Sequence, residues 1–507
     1  MKRPRVIDRR GSVRPGHAAL LLVLAVALDA QGEGRPRYGG NVEATLLGAP
    51  ASLDPLAAKS HAEATVVGLV FDTLYRVGAN GVALPHLAAA QPVLDEKQTT
   101  VRIAIRRGIR MHDGTELTAQ DVAASLDRAR QQARWLFAPV LAVKSDGDAV
   151  ELSLRAPVPE LTTLLAMPQL AITKAGRPPG DRPIGTGPYS VDSFDRAKKK
   201  IVLRAFDDHF AGRPYVDQLT LAWYDTPDGE ARRFETGKAQ ISARGAAAFA
   251  GGQPTFRTDD VEGPPALLVF VGFGRAHAEV TGDRAFRRAL DLALSRGGLT
   301  TISSGERVVP TRSPVPVEAG GAALDPAGKA GDLPAARAQL AVAAKRVAAL
   351  ASSQLGKLRL EILVEDTRPD DRQIAERVSL ALDKLGIQAV ITSLAASTLR
   401  ERVAKGQCDL WIGQTAAPVT AQLVWWSAAF ASGGDDWSVS ALGGGAIDPG
   451  VAGKEFATRL PIVPLMFRAV RMWHPTNLRG IAFDASGRPC YADVFYYGAA
   501  TPTKGRP

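Results

Sequence analysis

Side chains that could perform catalysis or bind a metal are scattered along this sequence. The histidines show no pair at the spacing that would place two metal ligands on one element, and no HExxH, CxxC or GxSxG pattern occurs. Acidic pairs such as Asp370-Asp371 and Asp435-Asp436 are typical of solvated turns and helix starts. The sequence therefore predicts no catalytic residue, no metal site and no cofactor. For the function of the chain, an enzyme is the last of three alternatives, and Asp54 and Asp113 are the carboxylates whose substitution would test it. The seven histidines are His17, His61, His86, His112, His209, His277 and His474.

Tryptophans form the one local concentration of unusual side chains. Trp411, Trp425, Trp426 and Trp437 fall within 27 positions of a chain that is only 6% aromatic. Trp411 lies in an apolar strand pattern, which favours core packing. The other three lie in a glycine-rich segment that resembles a loop, where amphipathic rings either line a ligand cleft or pack in the core.

An alternating order of strands and helices must position any site in the second half of the chain. Apolar periodicity predicts strands at 358–364, 387–391 and 409–412, and the helices between them end at Gly386 and Gly406. Short connections between such elements imply a parallel sheet in a three-layer α/β lobe. Parallel sheets bind ligands at the carboxyl ends of their strands. The ends here are residues 365–367 and 414–418.

The clearest local signal of the first half runs from Thr99 to Arg130. Apolar residues alternate from Val101 to Ile105, which predicts a strand with one buried face. Asp113-Gly114 marks a tight turn, and Thr118 is placed to cap a helix with Asp121 three residues later. The segment predicts a strand, a turn and a capped helix, and by itself it names no function.

Length, charge and the amino terminus narrow the possible classes of protein. A chain of 507 residues exceeds one ordinary core and predicts two or three domains. A basic leader followed by the apolar run Ala18–Ala30 predicts a signal peptide over residues 1–30 and a periplasmic location, with an uncleaved anchor as the alternative. No cysteine near this junction offers a site for a lipid anchor. The leader holds four units of the net charge of +10, so no nucleic-acid-binding stripe is expected.

Five motifs, in order along about 360 residues, resemble the family 5 solute-binding proteins of ABC importers, the dipeptide-, oligopeptide- and nickel-binding group. The resemblance implies an α/β, two-lobe type II periplasmic binding protein fold with a hinge and an interlobe ligand cleft. Its segments would be 38–263 for the first lobe, 264–445 for the second lobe and 446–507 for a return to the first lobe. The motifs are SLDP (52–55), RRGIRMHDGTELTAQDVAASLDR (106–128), PIGTGPY (183–189), DRAFRRALDLALSR (283–296) and QCDLWIG (407–413).

The same resemblance implies a binding function without chemistry. The ligand would be a small solute, a peptide or a peptide-like molecule, delivered by a monomer to an ABC permease in the inner membrane. A sensor or interaction protein on the same fold, without a transport role, is the alternative. Cys408 and Cys490 either pair in the oxidising compartment or stay unpaired with at least one buried. The residues predicted to contact the ligand are Trp425, Trp426, Trp437, Gln414, Thr415, Phe273, Arg275 and Asp54.

Three positions depart from the pattern of the family. Gln414 and Ala417 stand where similar peptide binders carry a Trp and an Asp that holds the peptide ammonium group, and Gly274 stands where an Asn is usual. A buried ammonium group without a counter-charge is costly. A free peptide amino terminus is therefore not assigned as the ligand group.

Overall fold

A computed structural model describes residues 36–497, apart from 59, 79–80, 134–136, 138, 159, 250–251, 303–304, 418 and 437–448. The signal predicted for residues 1–30 and the predicted ligand residue Trp437 lie outside the described residues. In the described part of the chain, no helix combines the length and apolar character that a membrane crossing requires.

Strands and helices are interspersed along the described residues. The strands, in chain order, are β1 (Asn41–Thr45), β2 (Tyr75–Val77), β3 (Ala83–Pro85), β4 (Val93–Leu94), β5 (Thr100–Ala104), β6 (Val140–Asp146), β7 (Ala149–Leu154), β8 (Tyr189–Asp195), β9 (Lys200–Ala205), β10 (Gln218–Ala222), β11 (Thr258–Glu262), β12 (Leu267–Phe273), β13 (Val308–Pro310), β14 (Arg359–Glu365), β15 (Gln388–Leu394), β16 (Leu410–Thr415), β17 (Ile462–Arg468), β18 (Arg471–Pro475), β19 (Leu478–Arg479), β20 (Ala482–Phe483), β21 (Pro489–Cys490) and β22 (Phe495–Tyr496). The helices are α1 (His61–Val70), α2 (Ala119–Gln132), α3 (Leu161–Leu164), α4 (Pro227–Glu235), α5 (Ala278–Thr281), α6 (Arg284–Ala293), α7 (Pro326–Ala330), α8 (Leu333–Ala344), α9 (Pro369–Asp383), α10 (Ala396–Ala404), α11 (Gln422–Ser432) and α12 (Pro449–Arg459).

Two four-stranded sheets, ordered β1-β10-β9-β8 and β4-β5-β7-β6, form the first lobe. The inward residues of the first sheet, such as Val42 and Leu219, pack with Val66 and Val70 of α1. The segment predicted between Thr99 and Arg130 is confirmed: β5 pairs with β7, and Thr118 and Asp121 form a reciprocal capping box at the start of α2. Local sequence signals therefore determine this part of the lobe.

A six-stranded sheet, ordered β13-β17-β12-β16-β14-β15, forms the second lobe. β14 runs parallel to both β15 and β16, with α9 and α10 as the connections, so the predicted three-layer α/β arrangement is confirmed. β12 is the continuous apolar strand at the centre, and five of its seven residues are buried. It runs antiparallel to β16 and to β17.

Two chain crossovers join the lobes side by side. β11 leads into β12 and β17 leads into β18, and β11 pairs with β18 immediately outside the sheet. This antiparallel pair is the hinge segment, and Arg471 bonds to Glu262 across it at 3.1 Å. The lobe boundaries stay a prediction. β17 pairs with β12 inside the sheet of the second lobe, so β17 is not part of the first lobe. This pairing favours a return of the chain to the first lobe after Arg468 and not, as predicted, at residue 446.

Candidate functional site

One edge of the six-stranded sheet faces the first lobe. β14 and β16 end at this edge, and both crossovers leave from it, because Leu267 of β12 lies opposite Arg468 of β17. Just beyond β16, the Thr420 hydroxyl donates to the Gly81 carbonyl of the first lobe at 3.4 Å. The carboxyl edge of the parallel strands therefore borders the space between the lobes, as the sequence predicts for a ligand site.

A buried ionic network lies at this edge. Arg468, at the end of β17, donates to Glu306 at 2.5 Å and to Asp370 at 2.7 Å. Arg368, before α9, pairs with Glu365 and lies 3.1 Å from Asp371. Coulomb interactions between such groups are stronger away from water, so the network holds the edge in a defined geometry.

Asp371 is the most deeply buried acid of the network. Its side chain is fully buried and one carboxylate oxygen accepts from the Gln414 amide at 3.2 Å. Burial raises its pKa to about 6, although Arg368 and Arg468 act in the opposite direction. The interpretation of Asp370-Asp371 as solvated residues is therefore wrong. The helix start was correctly predicted, but both carboxylates point into the protein because α9 begins directly at the strand edge.

Two buried indole N–H groups on one segment near this edge lack a hydrogen-bond partner among the described residues. They are Nε1 of Trp425 and Nε1 of Trp426, whereas Arg368 Nη1 and Asp371 Oδ2 face each other as an ion pair. Most buried polar atoms in folded proteins are paired, so a group of unpaired ones requires an explanation. Two N–H donors in one region can both be satisfied by a polar ligand or by ordered water.

The segment that carries Trp425 and Trp426 is a helix and not the predicted loop. α11 has no glycine or proline until Gly433, and an 11-residue run of mostly apolar residues forms a buried helix in preference to a loop. Trp425 is 2% exposed and packs edge-on against Phe467, with ring centroids 5.4 Å apart. Trp426 contacts Phe456 at 5.5 Å. Both tryptophans of this helix therefore pack in the core, and their predicted role in binding stays a prediction.

The structure divides the other predicted ligand residues between three places. Gln414 and Thr415 lie at the edge between the lobes, where Thr415 pairs with Leu268. Phe273 pairs with Leu410 at the other end of β16. Phe273 and Arg275 therefore lie at the opposite edge of the sheet, roughly 13 Å from Gln414. Phe273 there lies beneath Arg287, whose guanidinium carbon is 4.5 Å from the ring centroid.

Asp54 belongs to the scaffold of the first lobe. It caps a short 3₁₀ helix through Leu56 and pairs with both Nη atoms of Arg128 on α2. Its carboxylate is therefore already occupied. We leave Asp54 out of the proposed ligand site because it is paired within the first lobe, and Phe273 and Arg275 because they follow the opposite edge of the sheet.

Sequence reasoning missed a polar cluster within the first lobe. His86 Nε2 lies 2.8 Å from Asp72, and the Thr186 hydroxyl donates to the same carboxylate at 2.9 Å. His209 Nε2 lies 3.7 Å away, and His112 bonds to Gly187 of the PIGTGPY loop. No linear spacing reveals this group, because five separate connections bring it together. Within the described residues, no three His, Cys, Asp or Glu side chains form a group able to hold a metal ion.

The family of the chain follows from a comparison with known proteins. The profile of the bacterial extracellular solute-binding proteins, family 5 (middle), matches residues 83–436. The match covers well over half of the chain, including α2, the PIGTGPY loop and β12 to β16. The chain belongs to this family.

Similar proteins with curated names share part of their length with this family 5 protein. The nickel-binding protein NikA of Staphylococcus aureus is 26% identical over 212 residues, which are 40% of this chain and 41% of NikA. The glutathione-binding protein GsiB of Escherichia coli is 27% identical over 207 residues, 38% of this chain and 40% of GsiB. Among the first matches, the chain spans between 40% and 59% of the relative's length.

The fold is shared over nearly the whole chain with a solved structure. The oligopeptide-binding protein AppA of Bacillus subtilis, in complex with a nonapeptide, superposes with a TM-score of 0.72, covering 92% of this chain and 100% of AppA at 17% identity. This family 5 protein therefore has the two-lobe periplasmic binding protein fold, as the sequence predicts.

Close packing explains one departure of this family 5 protein from its relatives. A Cβ atom at Gly274 would lie 2.1 Å from the Cys408 carbonyl oxygen, so no larger residue fits without moving β16. Ala417 is fully buried at the end of β16. Cys408 and Cys490 are both free thiols, which resolves the question of their pairing.

Proposed function

We propose that this chain is an extracytoplasmic solute-binding protein of an ABC importer. It would bind a small polar solute, a peptide or a peptide-like molecule, between its lobes and deliver it to a membrane permease. The observation that supports this most directly is the unpaired, buried indole N–H group of Trp425, which packs on Phe467 at the edge that borders the first lobe. The predicted signal over residues 1–30 and the periplasmic location belong to the same proposal.

Binding would act through the equilibrium between open and closed arrangements of the lobes. A solute at the edge of β14 and β16 contacts the first lobe only when the hinge segment closes. Because the solute interacts with more groups in the closed state, it stabilises that state relative to the open one. A permease can then distinguish loaded from empty protein by shape alone.

The chemistry of the edge favours a ligand with hydrogen-bond acceptors. Trp425 and Trp426 offer N–H groups to carbonyl or carboxylate oxygens. Amide groups carry such an oxygen. AppA is described with a peptide and GsiB with glutathione, an amide-rich molecule, which supports the same class of ligand.

The proposal is tested by thermal unfolding and binding of the full chain. Native mass spectrometry of purified protein first identifies any solute that co-purifies. That solute, at 100 times its Kd, should stabilise the protein by about 2.7 kcal/mol and compact it in X-ray scattering. Trp425→Phe removes the indole N–H and keeps an aromatic ring, so the affinity should fall about fivefold, the value of one hydrogen bond.

The matched control is Trp411→Phe. Trp411 packs on Phe270, with ring centroids 5.1 Å apart, and pairs with Gly272 away from the edge between the lobes. The Trp411→Phe variant should bind the solute with the same affinity as the wild type. Equal losses in the two variants, or the failure of every tested peptide and solute pool to stabilise or compact the wild type, would refute the proposal.

A further inference from the structure

We propose that the outer end of the second lobe carries an anion site for a compact oxyanion bearing phosphate or several carboxylates. A cavity of about 350 Å³ opens between α6, the segment after α8, and the end of α12. Its charged lining side chains are Arg284, Arg288 and Arg346, and none of its lining residues is acidic. Gln339 and Thr458 add neutral polar groups.

This cavity is separate from the proposed solute site. α6 follows the carboxyl end of β12, and Leu460, which lines the cavity, precedes β17. Gly272 of β12 pairs with Ile462 of β17 at this end, whereas the solute site lies near Leu267 and Arg468. The two sites are thus at opposite edges of one sheet, and either can exist without the other.

Two of the three arginines are held in fixed orientations. Arg346 donates three hydrogen bonds of 2.8 to 3.1 Å to Asp283, the N-cap residue of α6. Arg288 donates to Asp291 at 2.9 Å. Arg284 is exposed and forms no ion pair among the described residues. Oriented guanidinium groups are the side chains best suited to oxyanions, because their planar N–H groups match two oxygens at once.

The acidic groups near the cavity do not neutralise it. Asp291 is shared by Arg288, Arg296 and Arg312, so one carboxylate serves three guanidinium groups. Burial lowers the pKa of Arg287, Asp435 acts in the opposite direction, and the neighbouring Arg284 lowers it further. The basic cluster therefore has positive charge in excess.

The position of these arginines runs against the preference of the helix. Arg284, Arg287 and Arg288 lie in the first turns of α6, where the positive end of the helix dipole disfavours cations. Asp283 is the acid that caps this terminus. A bound anion would offset both the mutual repulsion of the arginines and their repulsion by the helix dipole. An isolated arginine on a helix surface would not need this compensation.

The size of the cavity selects a compact ligand. A volume of about 350 Å³ is at the lower end of the range for small-molecule sites. Inorganic phosphate and citrate are suitable probes, because they present oxygens in three directions.

Isothermal titration calorimetry of the full chain with phosphate, and separately with citrate, tests the site at low ionic strength. At least one anion should bind, and about 0.5 M NaCl should weaken it. Arg284→Gln removes the unpaired cation and should reduce affinity about tenfold. Arg377→Gln, an exposed arginine of α9 outside the cavity, is the matched control and should bind like the wild type.

The outcomes separate the alternatives. Binding of phosphate alone or of citrate alone assigns the site to that class of oxyanion. The absence of binding by both, or equal affinities in Arg284→Gln and wild type, overturns the proposal. Binding of pentaglutamate without phosphate or citrate also overturns it, in favour of an acidic protein surface as the partner.

Discussion

Asp72 makes the stability of the first lobe depend on pH. Burial alone would raise its pKa, but the imidazoles of His209 and His86 outweigh that effect and hold the pKa well below its usual range. For His209, burial lowers the pKa, and Asp72 outweighs burial so that the pKa is raised. His112, bonded to Gly187, has a pKa lowered by burial.

The Asp72–His209 pair should stabilise the fold in a limited pH window. The contribution of His209 is fully present below about 6.5, the unfolded value, and is lost as pH rises through the raised folded pKa. The contribution of Asp72 is present above about 4 and is lost as pH falls below that value. We therefore expect His209→Gln to cost more stability at about pH 6 than at about pH 8, as measured by urea unfolding.

Thr186→Val is the control for this experiment. It removes a hydroxyl bond to Asp72 without removing a titrating group, and its cost should be about 1 to 3 kcal/mol at both pH values. A cost of His209→Gln that does not change between the two pH values would contradict the proposed coupling.

At the scale of elements, the PIGTGPY loop owes its glycines to close packing. A Cβ atom at Gly185 would lie 2.0 Å from the Val70 carbonyl oxygen, and one at Gly187 would lie 2.5 Å from the Val70 carbonyl carbon. The loop thus lies directly against the end of α1. It serves as a packing element.

Gly185→Ala should destabilise the protein by about 3 kcal/mol, because either α1 or the loop must move. Gly180→Ala, in the same connection, meets no atom within 4 Å and should change stability by less than about 0.5 kcal/mol. Both are measured by urea unfolding of the full chain. Equal stabilities of the two variants would contradict the packing role.

Elements with strong local signals were predictable from the sequence. The capping box of α2 and the order of β14, α9, β15, α10 and β16 depend on residues close together in the chain. The helical conformation of α11 was not predictable, because its glycine-rich continuation suggested a loop. The insertion of β17 beside β12 was not predicted either, since a strand pattern does not specify which distant strand it joins.

At the scale of the whole molecule, the candidate site depends on the contact between the lobes. Gln414 and Thr415 were predicted because strand ends are visible in the sequence. Arg468, Glu306 and Asp371 were not, because the hinge and two other segments bring them together. Their burial depends on how the sheet meets the first lobe, which no local pattern contains.

A cross-link between the lobes tests this arrangement. A Cβ atom at Gly81 would lie 3.9 Å from the Thr420 hydroxyl, so Gly81→Cys with Thr420→Cys should form a disulfide that restricts the movement of the lobes, at the cost of strain from the φ of +77° at Gly81. Ligand association should slow at least about tenfold in the oxidised variant and recover on reduction, because entry needs an open hinge.

The native cysteines should not interfere with this cross-link. Burial raises the pKa of Cys408 and of Cys490 to about 11, and a thiol exchanges as its thiolate. Single-cysteine variants are the controls. Association that is equally fast in the oxidised and reduced double variant would show that the two positions do not restrict access to the site.

The threading of the chain between the lobes also orders its folding. β1 pairs with β10 in parallel, and the hydroxyl of Tyr496 donates to the carbonyl of Asn41 at 3.0 Å. β1 thus contacts a residue 455 positions later in the chain. Such non-local pairing gives a high contact order and implies slow closure of the first lobe, with the edge of β1 unpaired until those later segments have folded.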